Sequence, residues 1–221
     1  MYKGIAGSEG IGIGKVVIIE DHDITIETKH VPETDSEIAR LQEAIEKFVE
    51  ITNKMADKMD ETVGKKDADI LRGHIQMLQD PMIEEQISSL IIAEKITAEM
   101  AVDQVLEQTA EMFSQIPDEL LQQRATDFRD IKARMIKLLM GIEDVDISQV
   151  PAGTVLVAKD LTPSMTAGIK PENIEGILTE MGGKTSHSAI LARAMEIPAV
   201  LSIEGICDIV KNGDTVVLDG T

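Results

Sequence analysis

The run Gly176-Ile177-Leu178-Thr179-Glu180-Met181-Gly182-Gly183-Lys184-Thr185-Ser186-His187-Ser188-Ala189-Ile190-Leu191-Ala192-Arg193 joins a short apolar segment to a helical one through two glycines. Gly176 to Glu180 has the length and apolar content of a buried strand. Gly182 and Gly183 permit a tight turn that side-chain-bearing residues resist. Thr185 or Ser186 can then cap a helix whose apolar face is expected to be Ile190, Leu191 and Ala194. A strand, a glycine turn and a helix start, in that order, make an α/β unit. His187 falls in the first helical turn, at the C-terminal edge of a strand. First-turn N–H groups lack acceptors within the helix and favour an anion close by. An imidazole there is suited to carrying a phosphoryl group, although a histidine that only caps or packs fits the same spacing. Gly183-Lys184-Thr185 resembles the end of a nucleotide-binding loop, but Leu178 stands where that loop requires glycine, which argues against it.

Outside this run the composition narrows the classes. The chain has 221 residues, enough to bury a sizeable core as one large domain or two smaller ones. Forty acidic against 21 basic residues leave a net charge of -19, a field that repels nucleic acid. Aromatic residues are 2% of the chain, too few for base-stacking platforms, so a basic protein partner is the more natural expectation. Cys207 is the sole cysteine, so no internal disulfide can form. No apolar core follows Met1-Tyr2-Lys3, as a signal peptide requires, and no apolar run approaches the ~20 residues that cross a bilayer. A cytoplasmic protein without membrane insertion is expected.

Upstream, residues 1–30 carry β signals. Gly10-Ile11-Gly12-Ile13-Gly14 reads as a turn with close backbone packing, and Lys15-Val16-Val17-Ile18-Ile19 as a buried strand. Asp21-His22-Asp23 has no second ligand pair at metal spacing and reads as a solvated loop. From Glu33 to about Ile142 the period changes. Ile38, Leu41, Ile45, Phe48, Thr52, Met55 and Met59 recur at alternating three- and four-residue steps, and Gly64 ends this helix. A second helix is expected from about Asp67 to Gln79, with Ile70, Leu71, His74, Met77 and Leu78 on one side. Pro81 opens a third, through Ile83, Ile87, Leu90 and Ile91. A fourth follows Thr97 through Met100, Val105 and Met112. Pro117 opens the last, with Leu120, Leu121, Phe128, Ile131, Met135 and Leu138 before Gly141. The Asp80-Pro81 junction, flanked by Met77, Met82 and Ile83, is a candidate exposed apolar patch, since methionine suits an adaptable protein contact. Residues 148–221 return to α/β signals: a strand at Thr154–Ala158, a helix opened by Thr162-Pro163, a strand at Pro198–Leu201, and another at Thr215–Leu218 after Asn212-Gly213. The expected fold class is therefore α/β plus all-α. One discontinuous α/β subdomain (1–30 and 146–221) is interrupted by an inserted helical bundle subdomain (33–143).

Gly182 to Ser188, with Ala192-Arg193 and Glu196-Ile197-Pro198-Ala199-Val200, resembles the phosphohistidine motif of phosphoenolpyruvate-utilising enzymes. These include enzyme I of the bacterial sugar phosphotransferase system, pyruvate phosphate dikinase and phosphoenolpyruvate synthase. The helical insertion, Gly73-His74-Ile75, Arg124-Ala125-Thr126-Asp127-Phe128-Arg129-Asp130 and Asp160-Leu161-Thr162-Pro163-Ser164 are similar to the N-terminal half of the enzyme I type. The resemblance implies a phosphoenolpyruvate-protein phosphotransferase in which His187 is phosphorylated at Nε2. The donor is phosphoenolpyruvate, held with Mg²⁺ in a C-terminal barrel, and the acceptor is a histidine of the small carrier HPr. It implies that Thr166 fixes the imidazole and leaves one ring nitrogen able to attack. Lys184, Thr185, Ser188 and Arg193 become candidate phosphate contacts, and Met77, Leu78, Asp80, Met82 and Ile83 the carrier's docking contacts. No metal or cofactor is expected within these residues, and a monomer is. Lys65 and Lys66 depart from the acidic residues that some relatives carry on that face, and Ser202 stands where glycine is common. Ser202 is expected to alter only a local turn. Two other readings stay open: the swivelling domain of a dikinase or synthase, against which the five helices argue, and a helical adaptor without chemistry.

Overall fold

The computed structural model describes residues 2–19, 24–142 and 147–221; Asp21-His22-Asp23 lies outside them. Two compact units divide the chain. One comprises Met1–Asp23, Glu61–Val63 and Val145–Thr221, the other Ile24–Asp60 and Gly64–Asp144.

The first unit is built on a six-stranded sheet of β1 (Ile5–Ser8), β2 (Ile11–Ile19), β3 (Thr154–Ala158), β4 (Ile174–Thr179), β5 (Ala199–Leu201) and β6 (Thr215–Asp219), in the order β1-β5-β4-β3-β2-β6. β2, β3, β4 and β5 run parallel, while β1 and β6 close the two edges antiparallel. All five residues of β3 are buried, as a central parallel strand covered on both faces requires. One face packs Leu156, Ile177, Leu191 and Ile197, and the other Val155, Val157, Leu178 and Leu218. The glycine-dense segment is strand rather than turn. Only Gly10, at φ 124°, makes a bend, and β2 runs on through Gly12 and Gly14. A Cβ on Gly12 would stand 2.0 Å from the Glu175 carbonyl oxygen, and one on Gly14 2.4 Å from that of Gly153. Side chains are excluded there because neighbouring backbone fills the space.

Among the described residues, the α-helices α6 (Pro163–Thr166), α7 (His187–Ala194) and α8 (Ile206–Ile209) belong to this unit. The buried face of α7 is Ser188, Ala189, Leu191 and Ala192. This corrects the expected face, since Ile190 is 44% exposed and Ala194 also faces solvent. A helix of eight residues is oriented by what it packs on, here β1 and β5, more than by its own short periodicity.

The second unit holds α1 (Asp35–Thr62) as far as Asp60, α2 (Lys65–Leu78), α3 (Pro81–Glu94), α4 (Ala98–Ser114) and α5 (Glu119–Met140). Their core gathers Leu41, Phe48, Leu78, Ile87, Leu106 and Ile131. Ile24 and Ile26 pack against it and His30 bridges Ile96, so the stretch after residue 23 goes with the helices rather than with the sheet. Asp118, not Pro117, starts α5, its carboxylate accepting from the Leu120 and Leu121 N–H groups. Asp80 caps α3 ahead of Pro81 by accepting from Met82 N at 2.8 Å. Met112 and Leu120, expected in the core, are 63% and 72% exposed.

Candidate functional site

β3 and β4 are parallel neighbours, so the segments leaving their C-terminal ends emerge side by side. Open parallel sheets place their sites at that edge. Two backbone hydrogen bonds extend the pairing past the strands, from Glu180 N to Ala158 O and from Met181 N to Lys159 O. After β3 the chain enters Asp160-Leu161-Thr162 and α6. After β4 it passes Met181-Gly182-Gly183 and enters α7. Thr162 caps α6 and Ser186 caps α7, each side-chain oxygen accepting a first-turn N–H.

His187 is the first residue of α7 and is half-buried. Its Nε2 lies 3.1 Å from the hydroxyl oxygen of Thr166, the last residue of α6. Thr166 is 1% exposed, and its hydroxyl also donates to Pro163 O at 2.8 Å. The hydroxyl has one proton. When that proton goes to Pro163, Oγ1 accepts from a protonated Nε2. When it turns to the ring, Nε2 accepts and carries the lone pair. Exchanging the two arrangements takes rotation about the Thr166 C–O bond together with removal of the Nε2 proton, as in a shift to the Nδ1–H tautomer. Thr166 holds the nitrogen expected to attack rather than the opposite one, which corrects the sequence expectation. Nucleophilic use of Nε2 requires this contact to open.

Asp160 ties the two segments together. Its Oδ1 accepts from Leu161 N at 2.8 Å and from the Ser188 hydroxyl at 3.1 Å. Ser188 is fully buried, so its hydroxyl is a fastener between α7 and the segment after β3 and is removed from the phosphate-contact candidates. Arg193 is removed for a similar reason. Its guanidinium donates to Gly7 O at 2.7 Å and to Lys184 O at 2.9 Å, joining α7, β1 and the glycine turn. Lys184 and Thr185 remain exposed on that turn.

The turn is also held from behind. Ser202 sits at φ 56°, a left-handed conformation that explains a preference for glycine at this place. Its hydroxyl donates to the Gly182 carbonyl, and Gly182 is itself left-handed at φ 101°. The expected local turn change is present as this left-handed Ser202, and its hydroxyl also reaches the loop that carries His187. Asp160 and Ser202 were not singled out as positioning residues from the sequence. A serine forced to positive φ is visible only in the backbone.

In the helical unit, Leu78 is 1% and Ile83 8% exposed, so both are core residues and leave the set of docking contacts. Met82 is 65% exposed, Asp80 is exposed and Met77 half-buried. Arg124 of α5 reaches the same place, its Nη1 3.3 Å from Met77 Sδ. Leu120 lies one turn before Arg124 on that helix and extends the exposed apolar rim. Lys65 and Lys66 are exposed at the start of α2. Among the described residues, no group of three or more His, Cys, Asp or Glu is placed to hold a metal ion, and no helix is long and apolar enough to cross a membrane.

Residues 3–124 match the model of the PEP-utilising enzyme N-terminal region, and residues 150–221 that of the PEP-utilising enzyme mobile domain. The chain belongs to the PEP-utilising enzymes. Phosphoenolpyruvate-protein phosphotransferases from Mycoplasma capricolum subsp. capricolum and Bacillus subtilis are 37% and 36% identical to it over 219 and 218 residues, 99% of the chain in each case. The chain spans 38% of the length of these relatives. An NMR solution structure of Enzyme I (nEIt) superposes with a TM-score of 0.85 at 39% identity, covering 100% of this chain and 90% of that one. The N-terminal domain of Enzyme 1 - Nitrogen shares the fold at a TM-score of 0.65 and 22% identity, covering 100% and 90%. The α/β plus helical architecture is thus that of an enzyme I N-terminal region.

Proposed function

We propose that this chain is the phosphoryl-relay portion of a phosphoenolpyruvate-protein phosphotransferase, with His187 as the residue that carries the phosphoryl group. The observation that carries the reading is the half-buried imidazole at the first position of α7, 3.1 Å from the Thr166 hydroxyl at the C-terminal edge of a parallel sheet. Phosphoryl transfer asks for in-line placement and charge stabilisation more than for acid–base chemistry. A ring held at one nitrogen by a rotatable hydroxyl is placed before the group arrives, and the contact opens when Nε2 attacks. As the new N–P bond forms, the donor–phosphorus bond breaks and the leaving group takes the electron pair. The α7 N-terminus and the Lys184-Thr185 turn face the developing charge, the helix end contributing about 0.3–1 kcal/mol.

The donor in this reading is phosphoenolpyruvate, bound with Mg²⁺ by a domain of the longer relatives outside the matched region. The acceptor is a histidine of HPr. The helical unit receives the carrier on the Met77, Asp80 and Met82 surface, with Arg124 and Leu120 added from α5. A strongly acidic protein suits a basic carrier face, charge raising the encounter rate while a modest interface keeps release quick. Such a relay operates in the cytoplasm.

The experiment runs the transfer backwards. Mixed with phosphorylated HPr, the chain gains an acid-labile phosphate on His187, whereas phosphoenolpyruvate and Mg²⁺ alone leave it unlabelled. Absence of label from phosphorylated HPr would sink the proposal in favour of an adaptor without chemistry.

A further inference from the structure

The helical unit holds a second histidine that the relay does not use. His74, on α2, is fully buried. Its Nε2 is 3.3 Å from Asp127 Oδ1 and its Nδ1 3.8 Å from Asp130 Oδ2, both carboxylates belonging to α5. Neither ring nitrogen makes an aligned hydrogen bond within the described structure. An imidazole buried on such loose contacts costs stability that an apolar residue of the same size would not, so packing alone does not account for it.

Asp127 is shared. Its other oxygen, Oδ2, is 3.7 Å from Nη1 of Arg124, one turn earlier on α5. The same Nη1 lies 3.3 Å from Met77 Sδ. Arg124 is half exposed (51%), whereas Asp127 is 15% exposed. A continuous line thus runs from a buried ring through one carboxylate to a guanidinium at the surface, resting on a methionine of the exposed patch. A long arginine has many rotamers in water, and a fixed carboxylate at its base restricts them.

We infer that His74 is a positioning residue for the docking surface: by holding Asp127 it fixes Arg124 against Met77. This rests on the docking face named above and adds to it the device that keeps its cation in place before a partner arrives. An arginine already ordered loses less conformational freedom on binding, so the effect falls on affinity for the carrier and not on the chemical step. The guanidinium would meet an acceptor on the carrier, a carbonyl or a carboxylate, beside the apolar contact made by Met77.

Transfer from phosphorylated HPr to the 221-residue chain, followed by KM and kcat, tests this. His74→Met keeps the volume and removes the polar link, and is expected to raise KM about tenfold with kcat unchanged, as for loss of one charge-assisted contact. His74→Gln, whose amide nitrogen replaces Nε2, is expected to stay within about twofold of the parent, since it restores the contact. In an Arg124→Ala background, His74→Met should change KM no further, because the residue through which it acts is gone. Asp127→Asn gives the same non-additive pattern and serves where His74→Met does not fold. Additive effects of His74 and Arg124, or His74→Gln behaving as His74→Met does, would overturn the inference and leave the docking face standing. An Arg124→Ala variant with unaltered KM would overturn the inference together with that part of the docking face.

Discussion

His187 and His74 occupy different units and are held in opposite ways. His187 opens a helix at a sheet edge, half-buried, with one ring nitrogen beside a neutral hydroxyl that can rotate away. His74 lies in mid-helix, wholly buried, with carboxylates of α5 at 3.3 and 3.8 Å from its two ring nitrogens. A group that is to form and break a bond needs a partner weak enough to let go. A group that is to hold a surface in register needs partners that stay. The same side chain serves both ends because imidazole presents two nitrogens that donate or accept according to surroundings.

The largest effect should come from His187→Ala. Label from phosphorylated HPr is expected to vanish, while circular dichroism of the variant remains that of the parent. Persistent label in that variant would mean that the contrast between the two rings has been drawn at the wrong residue. Thr166→Val ranks next. Removing a hydrogen bond of ~1 kcal/mol that orients the ring should slow transfer by about fivefold without unfolding the domain. An unchanged rate would strip the hydroxyl of its role and leave His187 merely adjacent to it.

Ser202 sharpens the contrast from behind the loop. A left-handed serine costs about 1–2 kcal/mol and is offset by its hydroxyl bond to Gly182. Ser202→Ala keeps the strain and loses the bond, lowering the melting temperature by roughly 2–4 °C. Ser202→Gly loses the bond but relieves the strain, and should melt closer to the parent. Equal melting of the two variants would show that the fastening is not what holds the turn. The smallest effect concerns Cys207, a nucleophile that its setting silences. Burial pushes its thiol up to about 11 from 9.0, and the carboxylate of Glu180 adds to this. Below pH ~9 the thiol is neutral whether the chain is folded or not, so it leaves stability unaffected by pH. From there to about 11 only the unfolded chain ionises it, so its contribution to stability falls as pH rises through that window. Alkylation by iodoacetamide should accordingly rise with a midpoint near 11 in the folded chain and near 9.0 in urea. A common midpoint in both would remove the proposed silencing.

Much of the architecture was legible in the chain itself. Several strand and helix boundaries follow from local signals: the apolar run at Thr154–Ala158, Pro81 behind Asp80, Gly141 at the end of α5. So did the position of His187 at a helix start, since a glycine turn and a capping serine are neighbours in sequence. The misplaced candidate site residues share one cause. Leu78 and Ile83 flank an exposed junction yet point into the core. Ser188 and Arg193 carry donors near His187, but spend them on Asp160, Gly7 and Lys184. Sequence distance says which side chains are near a site and not where their hydrogen bonds go.

By itself the amino-acid sequence determined most of the strands and helices, the glycine-dense start of β2 excepted, and which histidine begins a helix, because propensity, capping and periodicity act over a few residues. Tertiary structure decided that Thr166 meets Nε2 across 21 positions and that Ser202 fastens Gly182 across 20. It also decided that Asp127 stands between His74 and Arg124. Those contacts depend on which strands pair and which helices pack, and the free energy that chooses among pairings is summed over the whole core rather than stored in any one stretch.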